Sequence, residues 1–148
     1  MVKKLPPLIL LGRGTFSLKQ FRADCYEAAR TLHARVLEVK GSDYHSYSVC
    51  NMQLPAYHKC NSINVTILRN GNYPIIGFSS TQEAPFIFLD VPRLQEVFEA
   101  LGYEVWSKEY LETDPIEEHI TDLTPQEIED YNYWRPNQIG QMVFNFYD

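Results

Sequence analysis

Cysteine is scarce in this 148-residue chain: Cys25, Cys50 and Cys60 are odd in number, and their spacing fits no zinc pattern. That excludes a disulfide framework and makes free thiols in a reducing compartment the expectation. Long apolar runs are missing as well. No segment approaches the roughly 20 apolar residues needed to cross a bilayer. The amino terminus, MVKKLPPLILLGRG, imitates a secretory leader, but Pro6 and Pro7 interrupt its apolar core, and only Leu8 to Leu11 are continuous before Arg13. That run is shorter than a leader's apolar region, and no small-residue cleavage site follows it. A cytoplasmic protein is expected, with no membrane partner. Without a secretory route the sequon Asn64-Val65-Thr66 carries no meaning. Internal repeats, low-complexity tracts and linkers are absent too, so residues 1–148 read as one domain.

What is present favours a folded globule. Hydrophobic residues make up 45% and aromatics 14%, too much for disorder. A domain of this length buries roughly 70% of the surface its unfolded chain would expose. The net charge of −6 conceals a division: residues 1–75 hold ten Lys or Arg against four acids, residues 76–148 three against fifteen. The first part is thus +6 and the second −12. Basic residues are scattered and form no run of the kind that nucleic-acid tails show, so nucleic acid is not an expected partner. Docking of the two halves with partial neutralisation is the preferred reading.

Periodicity supplies the elements. Ser17 and Gln20 form a capping-box pair ahead of Leu18, Phe21, Cys25, Ala28 and Leu32, which recur at helical spacing. Lys19, Arg22, Glu27 and Arg30 occupy the opposite face. A strand is expected over 34–39, a short one near 47–52, and a hairpin where two β-rich runs flank Asn70-Gly71. Residues 7–11 and 85–90 read as apolar strands, and 103–112 as another. Between the last two lies a helix with Asp90 as its cap, Pro92 in its first turn and Gly102 as its stop. Thr124-Pro125-Gln126-Glu127 opens a second capping box, and Pro136 restarts the chain as a terminal helix. The mixed order predicts an α+β fold. Its largely antiparallel sheet of five or six strands should carry two packed helices, with further helices at the carboxy terminus.

Chemistry is harder to place. Gly12, Arg13, Gly14 and Ser17 lie between an apolar run and a helix, the layout of loops that aim backbone N–H groups at an anion. The chain lacks the Gly-Lys-Ser/Thr of the Walker loop, and Ser17 stands where a dinucleotide loop wants its third glycine. Asp-Phe-Gly and His-Arg-Asp are also missing, which excludes a kinase despite the kinase-like look of LGRGTFS. The four residues remain anion-binding candidates, with a sharp turn and a helix cap as the simpler reading. His45, Cys50, His58 and Cys60 sit within sixteen residues but in no metal-ligand spacing, so no metal is expected. Neither cysteine follows a nucleophile motif, and Glu117, Glu118, Glu127 and Asp130 read as solvated helix-end acids. No catalytic residue and no cofactor are assigned.

The carboxy-terminal stretch YNYWRPNQIGQMVFNFYD says more. Ile139, Met142, Val143 and Phe146 follow helical spacing and should close the core. Tyr131, Tyr133, Trp134 and Arg135 crowd ahead of Pro136, where not all can point inward. Tyr, Trp and Arg combine large contact area with a polar handle and are enriched at interface hot spots. The expectation is a non-catalytic binding or regulatory protein that meets a protein partner, or a second copy, through its acidic aromatic half. In general character this resembles small acidic proteins that neutralise a basic partner, such as bacterial toxin-immunity proteins. A small anionic ligand or nucleotide bound at Gly12–Ser17 is the alternative, and a thiol or hydrolytic enzyme the next.

Overall fold

Amphipathic patterning is realised first in α1 (Leu18–Leu32), which buries Phe21, Cys25, Ala28 and Ala29 and leaves Lys19, Arg22, Glu27 and Arg30 in solvent. The computed structural model describes residues 3–10, 18–41, 47–56 and 61–145. His33, in the left-handed region at φ 55°, ends α1. Strands β1 (Arg35–Lys40), β2 (Tyr47–Leu54), β3 (Ile63–Asn70) and β4 (Ile75–Ser79) then pair as antiparallel neighbours in chain order. Two short strands share the second edge of β4. β5 (Phe88–Leu89) pairs antiparallel with its end, through Phe78 opposite Leu89. β6 (Glu104–Val105) runs parallel to its start, with Ile75 opposite Glu104. Between β5 and β6 the chain crosses over as α2 (Pro92–Ala100), which buries Leu94 and Phe98 and stops at Gly102, φ 98°. Helices α3 (Lys108–Leu111), α4 (Glu117–Ile120), α5 (Pro125–Trp134) and α6 (Ile139–Val143) follow. The fold is α+β with a mainly antiparallel sheet.

Side chains alternate along each strand, and here both faces are covered. Cys50, Met52, Val65, Ile67, Ile76 and Phe78 point to the face where Phe21, Cys25, Leu94 and Phe98 of α1 and α2 pack. Val49, Leu68, Ile75 and Phe88 belong to a second cluster with Leu111, Ile120, Ile139, Met142 and Phe144. The carboxy-terminal helices therefore form a third layer. All five residues of β4 are buried, the mark of a strand covered on both sides. Gly77 in β4 is small because the Phe144 ring lies over it: a Cβ there would stand 2.7 Å from Cε2.

Residues 7–10 are not the expected strand. They are turn and bend, and residues 3–10 form an irregular strap across the second face, burying Leu5, Ile9 and Leu10. Pro6 and Pro7 have no N–H for a ladder. Side chains and a helix carbonyl serve the strap's backbone instead. Leu5 N donates to His119 O at 2.8 Å. The N–H groups of Leu8 and Leu10 donate to the two oxygens of Glu127 at 2.7 and 2.9 Å. Tyr110 Oη donates to Lys3 O at 2.8 Å and Tyr73 Oη to Pro7 O at 2.6 Å. Amide groups of Asn72, Asn70 and Asn145 donate to the carbonyls of Leu8, Ile9 and Leu10. Buried irregular backbone is tolerable only when its polar groups are met in this way.

Four other expectations change. The strand expected over 85–90 shortens to β5, Phe88–Leu89. The β3–β4 hairpin forms, but through a loop over residues 71–74 in which Asn70 Oδ1 accepts from the N–H groups of Asn72 and Tyr73; it is not a two-residue Asn-Gly turn. Strand 103–112 shrinks to β6, because Ser107 Oγ accepts from Tyr110 N and starts α3. Asp90 does not cap α2, whose N-cap is Val91. Its carboxylate accepts from Lys108 N at 2.9 Å, at the start of α3.

Candidate functional site

Helix α5 is set by the capping box read from the sequence. Thr124 Oγ1 accepts from Glu127 N, the Glu127 carboxylate accepts from Thr124 N, and Pro125 occupies the first turn. Ile128 and Tyr131 turn inward against the second cluster. One turn later Tyr133 is 77% exposed and Trp134 41% exposed. Their rings meet edge to face, 5.0 Å apart at 85°. Arg135, exposed and left-handed at φ 47°, closes the helix by donating its N–H to Tyr131 O at 2.9 Å. Of the four aromatic-patch candidates, three therefore face outward together, and Tyr131 serves the core.

The helical layer that carries them is acidic. Glu109, Glu112, Asp114, Glu117, Glu118, Asp122 and Glu129 are all exposed on this helical layer and its connections. Among the described residues the layer's exposed cations are Lys108 and Arg135, while Lys19, Arg22 and Arg30 lie on α1 and Arg35 and Lys40 on β1. The two halves of the chain do dock, through the sheet and the strap, but the charge division survives folding. Lys3 joins Glu104 across the halves, whereas Arg30 pairs with Glu27 and Lys40 with Glu38 inside the basic half.

Gly12, Arg13, Gly14 and Ser17 lie outside the described residues, as do His45, His58 and Cys60. Cys50 is buried on β2 beside Cys25 of α1. The Cys25 thiol is pushed up, first by its hydrogen bond with Cys50 and then by burial, so it holds its proton. Among the described residues no three His, Cys, Asp or Glu side chains gather as a metal site. Against the expectation of a solvated helix-end acid, Glu127 is fully buried and grips the strap. His119 is buried as well, and its Nδ1 accepts from Ile116 N at 2.8 Å.

Two features had no clear signal in the sequence, because each joins distant segments. A groove of about 980 Å³ runs between the end of α1 and α2, with Leu32, Pro55, Val97 and Leu101 in its wall and Glu27 and Glu96 at its rim. The other is a cation box. Lys3 Nζ stands 2.6 Å from Glu104 Oε1, 4.5 Å from the Trp106 ring centre and 5.5 Å from that of Tyr110. Trp106 Nε1 donates to the same carboxylate oxygen at 2.9 Å. The hydrogen bond from Lys3 holds Glu104 below its usual range, while burial, with Glu104 nearby, pushes Tyr110 up to about 12. Two lysines followed by Trp and Tyr a hundred residues later offer no local motif.

Set against protein-family models, curated proteins and solved structures, the chain matches none of them.

Proposed function

We propose that this protein is a non-catalytic binding or regulatory protein that recognises a basic protein partner through its acidic aromatic helical layer. The observation that carries the reading is the Tyr133–Trp134 ring pair, exposed at the end of α5 in a helical layer whose exposed acids outnumber its exposed cations. Exposed aromatics of this kind supply contact area at low entropic cost, and the surrounding acids steer a cationic partner and suppress anionic ones. Nucleic acid is disfavoured on the same surface, since its phosphates would meet the carboxylates.

Purification of the tagged chain from its native host tests the reading. Wild type is expected to retain a stoichiometric basic protein whose binding weakens as salt is raised. Tyr133→Ala with Trp134→Ala should release that protein while the melting temperature changes little. Leu37→Ala, on the far edge strand β1, should retain it. Retention by the double variant, or its unfolding, refutes the assignment of this surface.

A further inference from the structure

We propose that Trp106, Tyr110 and Glu104 form a binding box for an alkylammonium group, and that Lys3 fills it as a displaceable occupant from within the chain. The box has the three parts that such recognition needs. The indole and phenol rings stand at 87° with centres 5.1 Å apart, giving two walls at a right angle. The carboxylate of Glu104 makes the third wall, and the indole N–H holds it in place. Ring faces attract a cation through their quadrupoles, and more strongly where water is excluded. Trp106 is only 4% exposed, so its face is already dry.

The present occupant is held only by weak contacts. Lys3 Nζ meets a single carboxylate oxygen, and the side chains of Lys3 and Glu104 are 47% and 58% exposed. An exposed ion pair and the cation–π contacts to Trp106 and Tyr110 are each weak attachments. Emptying the box does not require the strap to leave. Lys3 O stays with Tyr110 Oη and Leu5 N with His119 O while the lysine side chain alone swings into solvent. What replaces the lysine ammonium must offer the same chemistry, a cation on a slender stem, either a free quaternary ammonium or a methylated lysine carried by another protein. The box shares α3 with the acidic layer but uses neither Tyr133 nor Trp134, and it does not depend on the reading of that surface.

The indole N–H resonance of Trp106 reports on the box directly. It is followed in ¹⁵N-labelled wild type, Lys3→Met, Lys3→Ala and Lys3→Met/Glu104→Gln. Each is titrated with choline, with N-acetyl-trimethyllysine amide and with the uncharged isostere 3,3-dimethylbutanol. Both single Lys3 variants should show a saturable shift with a cationic probe, about tenfold tighter than wild type, the weight of an exposed ion pair plus a cation–π contact. Adding Glu104→Gln should weaken it again, and the isostere should leave the resonance unmoved. A response to choline alone supports a free small molecule as ligand, and a response to trimethyllysine alone supports a protein-borne one. The proposal is overturned if the isostere matches the cations, or if folded Lys3 variants bind neither cation. Equal affinity in wild type and the Lys3 variants refutes the occupant role.

Discussion

Replacing Glu127 by Gln changes one oxygen to an NH₂ group and should cost far more than a surface change of that size. Glu127 is fully buried, and four donors converge on it. Oε1 accepts from Leu8 N at 2.7 Å, Thr124 N at 3.1 Å and Thr124 Oγ1 at 3.0 Å, while Oε2 accepts from Leu10 N at 2.9 Å. The amide oxygen of Gln can keep the larger set. Its NH₂ then faces the N–H of Leu10, donor against donor, with no acceptor for either. Losing one charge-assisted bond and stranding a buried donor costs about 2–3 kcal/mol. For a domain near 150 residues each kcal/mol lowers Tm by roughly 2–4 °C, so a fall of about 4–12 °C is expected. Denaturant titration of Glu127→Gln beside Glu129→Gln, an exposed neighbour, measures the difference. Amide hydrogen exchange then locates it: Leu8 and Leu10 should lose protection before the amides of β2 and β3 do. Stability within about 0.5 kcal/mol of wild type, or unchanged exchange at Leu8 and Leu10, refutes the account of the strap.

Gly140→Ala would normally favour a helix, but in α6 the new Cβ would stand 2.3 Å from Phe88 Cε2 and 3.1 Å from Leu111 O. Overpacking should outweigh propensity and destabilise by about 1–3 kcal/mol in a thermal melt. Asp90→Ala removes the acceptor for Lys108 N and should cost about 1 kcal/mol, read by denaturant titration. Glu104 has a folded value below its ordinary 4.5, so its pair with Lys3 stabilises above that pH and is lost as pH falls through the depressed value. The stability difference between wild type and Glu104→Gln should therefore shrink on acidification, and being half-exposed it should stay below about 1 kcal/mol throughout. Tyr110 shifts the other way, from 10.0 to about 12. Its contribution is whole below pH 10 and lost as pH rises through 12, so Tyr110→Phe should flatten the alkaline limb of the stability profile.

Local signals carried much of the architecture. The helical spacing of Phe21, Cys25 and Ala28, the Thr124–Glu127 box, and Gly102 after α2 each act within a few residues, and each is found where the pattern placed it. The layer order was not legible, because nothing in INVTILRN says which of two faces Leu68 and Ile67 will join. Asp90 shows how a local rule misleads: it stands just ahead of Pro92 like a cap, yet its partner is Lys108, eighteen residues on. The exposure of Tyr133 and Trp134 followed from crowding ahead of Pro136, whereas the burial of Glu127 could not, since the groups it meets lie 117 and 119 residues away.

Vectorial synthesis gives the strap a particular position in time. Residues 5–10 leave the ribosome long before Asn145, which holds Leu10 and is made 135 positions later. The α1–α2 side of the sheet can assemble while translation continues; the opposite side stays open until its last helix arrives. During that interval Leu5, Ile9 and Leu10 have no hydrophobic shelter of their own, and closing so distant a clasp is slow. The nascent polypeptide therefore passes through an aggregation-prone interval in which the strap waits for α6 and Asn145.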